Sequence, residues 1–476
     1  MRETFIRPKI AHFGAFDHDS YGDLIFPLLV EHFLPEFEFI HVSPSGNLTP
    51  WSDAKPTISI NEAFARKDWD GVLIGGGDIV QSGEWVTDSW AQTPLLAMGA
   101  LPSLWCGASL LAAKLNIPCV WNCPGVPRSL PYEIESIAIE ALKSVDYLCL
   151  RDRTSADRLN KLMPRPASIA PDSALGICEL WPAKRSTDKV KSKPLVLSLT
   201  PVDAHLRWHE IEALIDIISA KYDFSGEVIV IPLMGWQIDS GLISLPFKLK
   251  SGLNLTVRDR SLSLQECALE IENASVYVGN SLHGLITAIS YGVPAVLVKP
   301  LEGATITKYD GFAEHFSLNG VRLVVESFTE AAQVLMTYQN IIIKDASDRL
   351  HEHWSNVRDC LQSKSKIDKS YIWQNVCESM RQENETMLLY GISAQQLLTR
   401  VLKLKQQIVD LETRTNALNQ AATERDAQIV NLIQSVTERD AQIDSLSQTQ
   451  KRFISSLSWQ FTKPLRFISR VLRGKF

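Results

Sequence analysis

Through about residue 180, short apolar runs punctuated by glycine turns alternate with amphipathic stretches. Residues 9–13 predict a strand, and a helix from about Asp23 to Phe33 follows its loop. Residues 71–74 predict a strand that ends in the turn Gly75-Gly76-Gly77-Asp78. Residues 119–122 predict another, followed by Pro124-Gly125-Val126-Pro127, and residues 147–150 a third, leading into Arg151–Ser155 and a helix. Continuous apolar strands interleaved with helices are the pattern of a parallel sheet covered on both faces. The stretch 183–194 is charged, lacks large apolar residues and ends in proline, which predicts a linker. Beyond it, residues 195–199, 228–231, 276–278 and 295–298 predict strands, 208–222 an amphipathic helix, and a further helix begins near His283. The expected fold class is α/β. Two Rossmann-like domains, 1–182 and 195–340, would face each other across a cleft, with ligands at the carboxyl ends of the strands.

The pattern then changes period. Residues 341–396 predict a helical extension. From Leu397 the apolar spacing alternates three and four, as a coiled coil requires. One seam set is Val401, Ile408, Thr415, Ala422, Ile429, Val436 and Ile443; the other is Leu397, Leu404, Leu411, Leu418, Arg425, Leu432, Arg439 and Leu446. The heptapeptide Thr-Glu-Arg-Asp-Ala-Gln-Ile occurs at 423–429 and again at 437–443. A C-terminal helical coiled coil over 397–457 is expected to join copies of the chain into a homo-oligomer. Arg425 and Arg439 on its seam lower stability but can fix register.

Composition narrows the class. The 476 residues fit two to four domains at roughly 100–200 residues each. With 45% hydrophobic and 21% charged residues, wholesale disorder is excluded. Net charge is −6, but residues 451–476 hold seven Lys/Arg and no Asp/Glu, which leaves −13 on the rest. So acidic a body is not a nucleic-acid binder. The tail, 458–476, combines cations with Trp459, Phe461, Phe467, Ile468 and Leu472, which suits contact with an anionic membrane face. The eight cysteines form no CxxC and read as reduced thiols. The first nine residues lack the apolar stretch of a secretory signal, and no run of about 18 apolar residues exists. The expected location is cytoplasmic, peripheral at the inner face of the membrane.

Three segments carry candidate chemistry. Ser20-Tyr21-Gly22-Asp23 opens a helix after the first strand, presenting backbone N–H groups to an anion or sugar hydroxyl, unless Asp23 is a plain cap. Gly75-Gly76-Gly77-Asp78 lets backbone approach a ligand closely. Neither GxGxxG nor a P-loop occurs, so no nucleotide cofactor is expected. The most informative segment is Val278-Gly279-Asn280-Ser281-Leu282-His283-Gly284, a strand-to-helix junction that puts an imidazole at a helix N-terminus. There it can donate to a phosphate or act as general acid or base. His205 and His209 share a helix face without HExxH, and His351 and His353 flank Glu352 on a surface helix, so no metal is expected. No GxSxG elbow is present. Cations near strand ends are Arg151, Arg153, Arg207, Arg258, Lys299 and Lys308.

In this order the motifs resemble the polysaccharide pyruvyl transferase family over about residues 9–330. The resemblance runs from Tyr21-Gly22-Asp23 and Gly75-Gly76-Gly77 to Pro124-Gly125-Val126-Pro127, Arg151-Asp152 with Ser155, and Pro171-Asp172. Its strongest part is Ser281-Leu282-His283-Gly284 with Ala288 and Tyr291-Gly292-Val293-Pro294; Lys308 with Phe312 resembles a late lysine segment. The family implies a glycosyltransferase-B-like fold. It also implies transfer of a pyruvyl group from phosphoenolpyruvate to two hydroxyls of a sugar, on a surface polysaccharide or its lipid-linked oligosaccharide precursor, giving a pyruvate ketal. By the resemblance His283 is the catalytic acid/base and Arg151 helps bind the donor. Asp23 is placed with His283 as catalytic, while Asp78 and Asp172 stay open as the assisting carboxylate. Gly22, Gly76, Gly77, Asp78, Arg151, Asp172, Ser281, Leu282, Gly284 and Lys308 form the expected substrate-binding set. Many members carry Arg where this chain has Ser281, and Lys299 or Lys308 is the cation that would compensate. Ser456-Leu457-Ser458-Trp459 and Thr462–Arg466 resemble a terminal motif of bacterial surface-polysaccharide glycosyltransferases. The alternative activity is a nucleotide-sugar-dependent glycosyltransferase of the same fold; residues 284–291 lack the Asp or Glu such enzymes often use for ribose.

Overall fold

The computed structural model describes residues 7–82, 100–183, 193–222, 224–235, 249, 253–259, 262–301, 307–316, 322–339 and 341–378, and scattered positions between 405 and 473. The chain divides into two units, Met1–Met380 and Arg381–Phe476.

The first unit holds two sheets. One contains β1 (Lys9–Phe13), β2 (Glu38–Ser43), β3 (Thr57–Ser59), β4 (Gly71–Gly75), β5 (Cys119–Asn122), β6 (Tyr147–Leu150) and β7 (Ser168–Ile169), in the order β3-β2-β1-β4-β5-β6-β7. The other contains β8 (Lys193–Ser198), β9 (Phe224–Val230), β10 (Asn254–Val257), β11 (Val276–Gly279), β12 (Ala295–Val298) and β13 (Val324–Val325), in the order β10-β9-β8-β11-β12-β13. Every pairing within them is parallel, for example Ile10 with Gly71 and Val278 with Leu197. The central strands are buried along their length, which is why they read as continuous apolar runs rather than alternating ones. The edge strands β2, β3 and β10 carry half-exposed and polar positions and were not legible as apolar runs. Both sheets begin in the middle and wind outward in two directions. The order therefore reverses between β1 and β4, and again between β8 and β11, and ligands bind such α/β sheets at these reversals.

The helices needed below are α1 (Tyr21–Phe33), α2 (Arg153–Leu159), α3 (Leu282–Ser290), α4 (Thr307–Ala313) and α5 (Lys344–Gln362). Apolar side chains form three layers. One covers the outer face of the first sheet around Trp105 and Trp121, one the outer face of the second around Ile215 and Phe328, and a larger one lies between the sheets. The middle layer joins Leu24 and Phe26 of α1 to Leu285 and Ile289 of α3. Tyr21 N–H donates to Leu233 O (2.9 Å), and the Tyr21 hydroxyl bonds Thr287 Oγ1 (2.9 Å), so the head of α1 is pinned to the second sheet's elements.

After the second sheet the chain returns to the first. Helix α5 buries Leu350, His353, Trp354, Val357 and Leu361, a three/four spacing on one face. Trp354 stacks on Phe33 (5.0 Å, 10°), and Arg358 bonds Glu36 (2.6 Å) and Phe33 O (2.7 Å). His353 is therefore not a surface residue. Among this helix's pair, only His351 is exposed, bonded to Glu179 at 3.1 Å. The fully buried Lys369 donates to Asp146 (2.6 Å) and Ile117 O (2.6 Å) on the same side.

Two further readings change. Pro194 lies inside β8 rather than in a linker, while 184–192 falls outside the described residues. His205 and His209 sit on separate helices, Pro201–Leu206 and Trp208–Lys221, because Arg207 leaves the helical conformation between them (φ −116°, ψ 17°). Most of 381–476, including much of the apolar seam and the tail, lies outside the described residues. The described positions at 405–452 are helical, and Leu411, Leu432, Val436, Ile443 and Leu446 among them are exposed. No helix among the described residues is long and apolar enough to cross a membrane.

Candidate active site

The loops after β1, β4, β5, β6 and β11 converge on one point. His283 enters from the first turn of α3, whose N-cap, Ser281, accepts the Gly284 N–H at 3.2 Å. Its ring lies against Gly22, where there is no Cβ to intervene; a methyl built there would stand 2.5 Å from His283 Cγ. Phe26, one turn along α1, presents its face edge-on to the ring at 5.5 Å. The helix that begins at Tyr21-Gly22-Asp23 is thus a floor for the imidazole.

Carboxylates surround this floor. Asp172 Oδ2 lies 3.8 Å from His283 Nε2 and 3.5 Å from an Arg151 terminal nitrogen. Its other oxygen accepts the Ala174 N–H at 3.0 Å, which fixes the side chain. Asp23 bonds His18 Nδ1 at 2.9 Å. Asp78 forms a short ion pair with Arg151 and lies 3.9 Å from Lys308 Nζ, and Asp152 Oδ2 is 3.4 Å from Arg151 Nε. Arg151, at the end of β6, is buried among three carboxylates, and His315 Nε2 bonds its carbonyl at 2.6 Å.

Backbone conformation shapes the rest. Gly75, Gly76 and Gly77 all have positive φ (155°, 94° and 73°). Only glycine adopts such a run without strain, and it brings Gly76 under the Phe26 ring and Gly77 to Asp23, where a Cβ would stand 2.7 Å from Oδ1. Gly125 N–H donates to Gly77 O (2.9 Å), and Gly125 packs on Asp78 and Arg151. Asp152 caps α2 by accepting the Ser155 N–H (2.6 Å), while Ser155 Oγ accepts the Val126 N–H (3.0 Å). The Arg151-Asp152…Ser155 and Pro124–Pro127 motifs therefore hold each other in place.

Electrostatics set the protonation. Burial disfavours the imidazolium of His283 and, with the charges of Arg151 and Lys308, lowers its pKa against the opposing pull of Asp172 and Asp23. At neutral pH the ring is neutral. Burial would raise Asp23, but the hydrogen bond and charge of His18, with His283, outweigh it and hold its pKa below the usual value. Burial opposes the Arg151 charge, yet Asp78, Asp172 and Asp152 more than restore it. His283 Nε2, Asp172 Oδ2 and Arg151 Nε are buried and lack a hydrogen-bond partner. They meet one another and Asp152 only at ion-pair distances of 3.4–3.8 Å, longer than a good hydrogen bond, which makes the cluster a candidate for completion by a ligand.

Of the residues singled out in the sequence, Gly22, Asp23, Gly77, Asp78, Arg151, Asp172, His283 and Lys308 are brought together, with Gly76 beneath. Ser281 spends its hydroxyl on the helix cap. Leu282 is buried in the apolar layer, and Gly284 packs on Tyr277, so both serve packing. Arg207 is held by Asp203 and Glu210, Arg258 by Glu270 and Lys299 by Glu326. That leaves Lys308 as the lysine at the cluster. His18 and His315 were not singled out, since nothing in their local sequence distinguishes them; Asp152 stood only as part of the Arg151-Asp152 and Ser155 motif, with no role given. A small pocket of about 10 Å³, room for about one water molecule, lies beside the α1 floor, lined by Asp19, Trp51, Met234, Leu262 and Cys267 among others.

Residues 21–300, 280 of the 476, match the family described as polysaccharide pyruvyl transferase. No curated relative matches the chain. Among solved structures, the UDP-GlcNAc 2-epimerase of Methanocaldococcus jannaschii is similar at 14% identity over 75% of this chain and 100% of its own, with a TM-score of 0.45. The UDP-GlcNAc 2-epimerase of Neisseria meningitidis bound to UDP-GlcNAc is similar at 11% identity over 79% and 100%, with a TM-score of 0.37. The glycosyltransferase SnogD of Streptomyces nogalater is similar at 13% over 78% and 98%, with a TM-score of 0.35. The architecture rests on the strand orders above and not on these similarities.

Proposed function

The chain belongs to the polysaccharide pyruvyl transferase family, and from that membership we propose that it moves the pyruvyl group of phosphoenolpyruvate onto two hydroxyls of a glycan or its lipid-linked precursor, closing a ketal and releasing phosphate. The observation that carries the reading is His283 Nε2, buried, unpartnered and 3.8 Å from Asp172 at the head of a helix beside Arg151 and Lys308.

The proton steps balance on this one imidazole. Neutral His283 takes the proton of the first hydroxyl as its oxygen adds to the donor's central carbon, and returns it to the methylene carbon, which becomes methyl. Asp172 and Asp23 stabilise the imidazolium while it exists. The C–O bond to phosphate then breaks, the second hydroxyl closes the ring, and its proton leaves with phosphate. Lys308, Arg151 and the α3 N-terminus offer the positive field for the departing anion. Because Asp78 already pairs with Arg151, a donor anion competes with it for the guanidinium. We also propose that the exposed apolar residues of 405–452 join copies of the chain, and that the basic tail rests on an anionic membrane face.

Calorimetric titration tests the donor. Phosphoenolpyruvate should bind saturably, and His283→Ala should keep that binding while abolishing ketal formation on the glycan. Binding of UDP- or GDP-sugars without phosphoenolpyruvate would overturn the reading in favour of glycosyl transfer.

A further inference from the structure

A second cluster of reactive side chains lies behind the ends of β5 and β6, and the chemistry above does not use it. Cys123 follows β5, Cys149 lies in β6, and His353 comes from the buried face of α5. Cys149 is 0% exposed, and Cys123 and His353 are each 1% exposed. Cys123 Sγ is 3.5 Å from Cys149 Sγ and 3.5 Å from His353 Nε2, and the three donor atoms all lie within 4.8 Å of one another. Among the described residues this is the one group of three His, Cys, Asp or Glu donors so gathered. Around a tetrahedral zinc, with Zn–S of about 2.3 Å and Zn–N of about 2.0 Å, two sulfurs stand about 3.8 Å apart and sulfur and nitrogen about 3.5 Å. The Cys123–Cys149 and Cys123–His353 spacings lie within a few tenths of an ångström of those edges, and the third pair lies within 4.8 Å.

The surroundings fit as well. Tyr147 OH lies 3.1 Å from His353 Nδ1. Accepting that N–H, it leaves the Nε2 lone pair for the thiol side, the way an oxygen behind the ring orients a metal-bound imidazole. Asn122 Oδ1 is 2.8 Å from Nε2, a separation at which two acceptors need a proton or a cation between them.

We propose that Cys123, Cys149 and His353 bind a zinc ion, with Asn122 Oδ1 as fourth donor. Two thiolates and an imidazole favour zinc over hard cations, and two thiolates neutralise its charge. Each thiol that binds releases its proton to solvent. The ion ties α5 to the ends of β5 and β6. Cys149 stands two residues before Arg151, and Cys123 two residues before Gly125, which packs on Arg151 and Asp78. Its role is positional, holding the strand ends that carry the catalytic cluster. The proposal departs from the expectation of no metal, which came from sequence spacing alone.

The test is the zinc content of the full chain, purified without chelator and exchanged into zinc-free buffer. One zinc per chain is expected. Cys123→Ser, Cys149→Ser and His353→Gln should each weaken zinc binding by roughly tenfold or more, while His351→Gln, altering the exposed neighbour, should retain it. Cobalt taken up by the wild-type chain should show thiolate-to-cobalt charge transfer and the visible bands of a tetrahedral site. Wild-type chain that takes up neither metal, ligand variants that hold as much zinc as wild type, or a Cys123–Cys149 disulfide in protein purified under reducing conditions would overturn the proposal. If the variants do not fold, the wild-type zinc content and cobalt spectrum decide it.

Discussion

Adding a single methyl group beneath the His283 imidazole, the proposed catalytic group, should separate catalysis from folding. In Gly22→Ala the new Cβ would stand 2.5 Å from His283 Cγ and 2.6 Å from Cε1. Carbon atoms settle at about 3.5 Å or more, and Nδ1 lies nearer to the new methyl than either carbon, so the ring must move by more than about 1 Å. The edge of α1 gives no room for the methyl to retreat, since Gly22 is itself within the helix and Phe26 holds the ring's side. Two effects on stability oppose each other. Alanine favours a helix interior by about 1 kcal/mol over glycine, and overpacking costs about 1–3 kcal/mol. The net loss should stay under about 2 kcal/mol. Catalysis has no such offset: misplacing a reacting group by 1 Å costs about 10²-fold, or about 2.7 kcal/mol of barrier. The assay is kcat for ketal formation beside the midpoint of urea unfolding and the affinity for phosphoenolpyruvate. A fall in kcat of about a hundredfold with folding nearly intact is expected. A kcat within about threefold of wild type would refute the idea that Gly22 sets the position of His283.

Five other outcomes follow. The folded pKa of His283 lies below its ordinary value of 6.5, so the acid limb of kcat/KM should have its midpoint under 6.5, and a midpoint above that would contradict the burial argument. His12 and His41 are lowered too; below pH 6.5 the unfolded chain binds more protons than the folded one at all three, so unfolding free energy should drop as pH falls from 6.5 through the lower folded values. Arg151→Met strands three carboxylates and should cost about 3 kcal/mol, the lower end for a buried pair because Asp78 is partly open to water; a loss under about 1 kcal/mol in urea titration would mean that the carboxylates do not depend on it. Asp78→Asn removes the competitor for Arg151 and should tighten phosphoenolpyruvate binding by about three- to tenfold in calorimetry, whereas weaker binding would make Asp78 a donor ligand. Deleting 397–476 should lower the mass measured by light scattering to that of a single chain; an unchanged oligomer would move the interface elsewhere.

The sheet pattern and the local shape of the site were both legible in the sequence. Alternating apolar strands and amphipathic helices gave two Rossmann-like halves, because a strand buried on both faces must be apolar throughout. Glycine runs such as Gly75-Gly76-Gly77 and the junction at Ser281–Gly284 announced turns that expose backbone at strand ends. The family resemblance then singled out His283, and the strand-end loops do meet around it. Edge strands such as β2 and β10 were hidden, since half-exposed positions break the apolar run.

What the sequence could not supply was pairing at a distance. Asp23, Asp78 and Asp172 were equal candidates until the strand order put Asp172 beside Nε2 and Asp23 against His18. His353 looked like a surface residue because its neighbours Glu352 and His351 are polar; the face of α5 turned toward β5 and β6 made it a core residue beside two thiols. Local periodicity fixes which way a residue faces within its own element. Which elements become neighbours depends on sheet order and on the return of a late helix to an early sheet, and those are set by the joint burial of surfaces hundreds of residues apart.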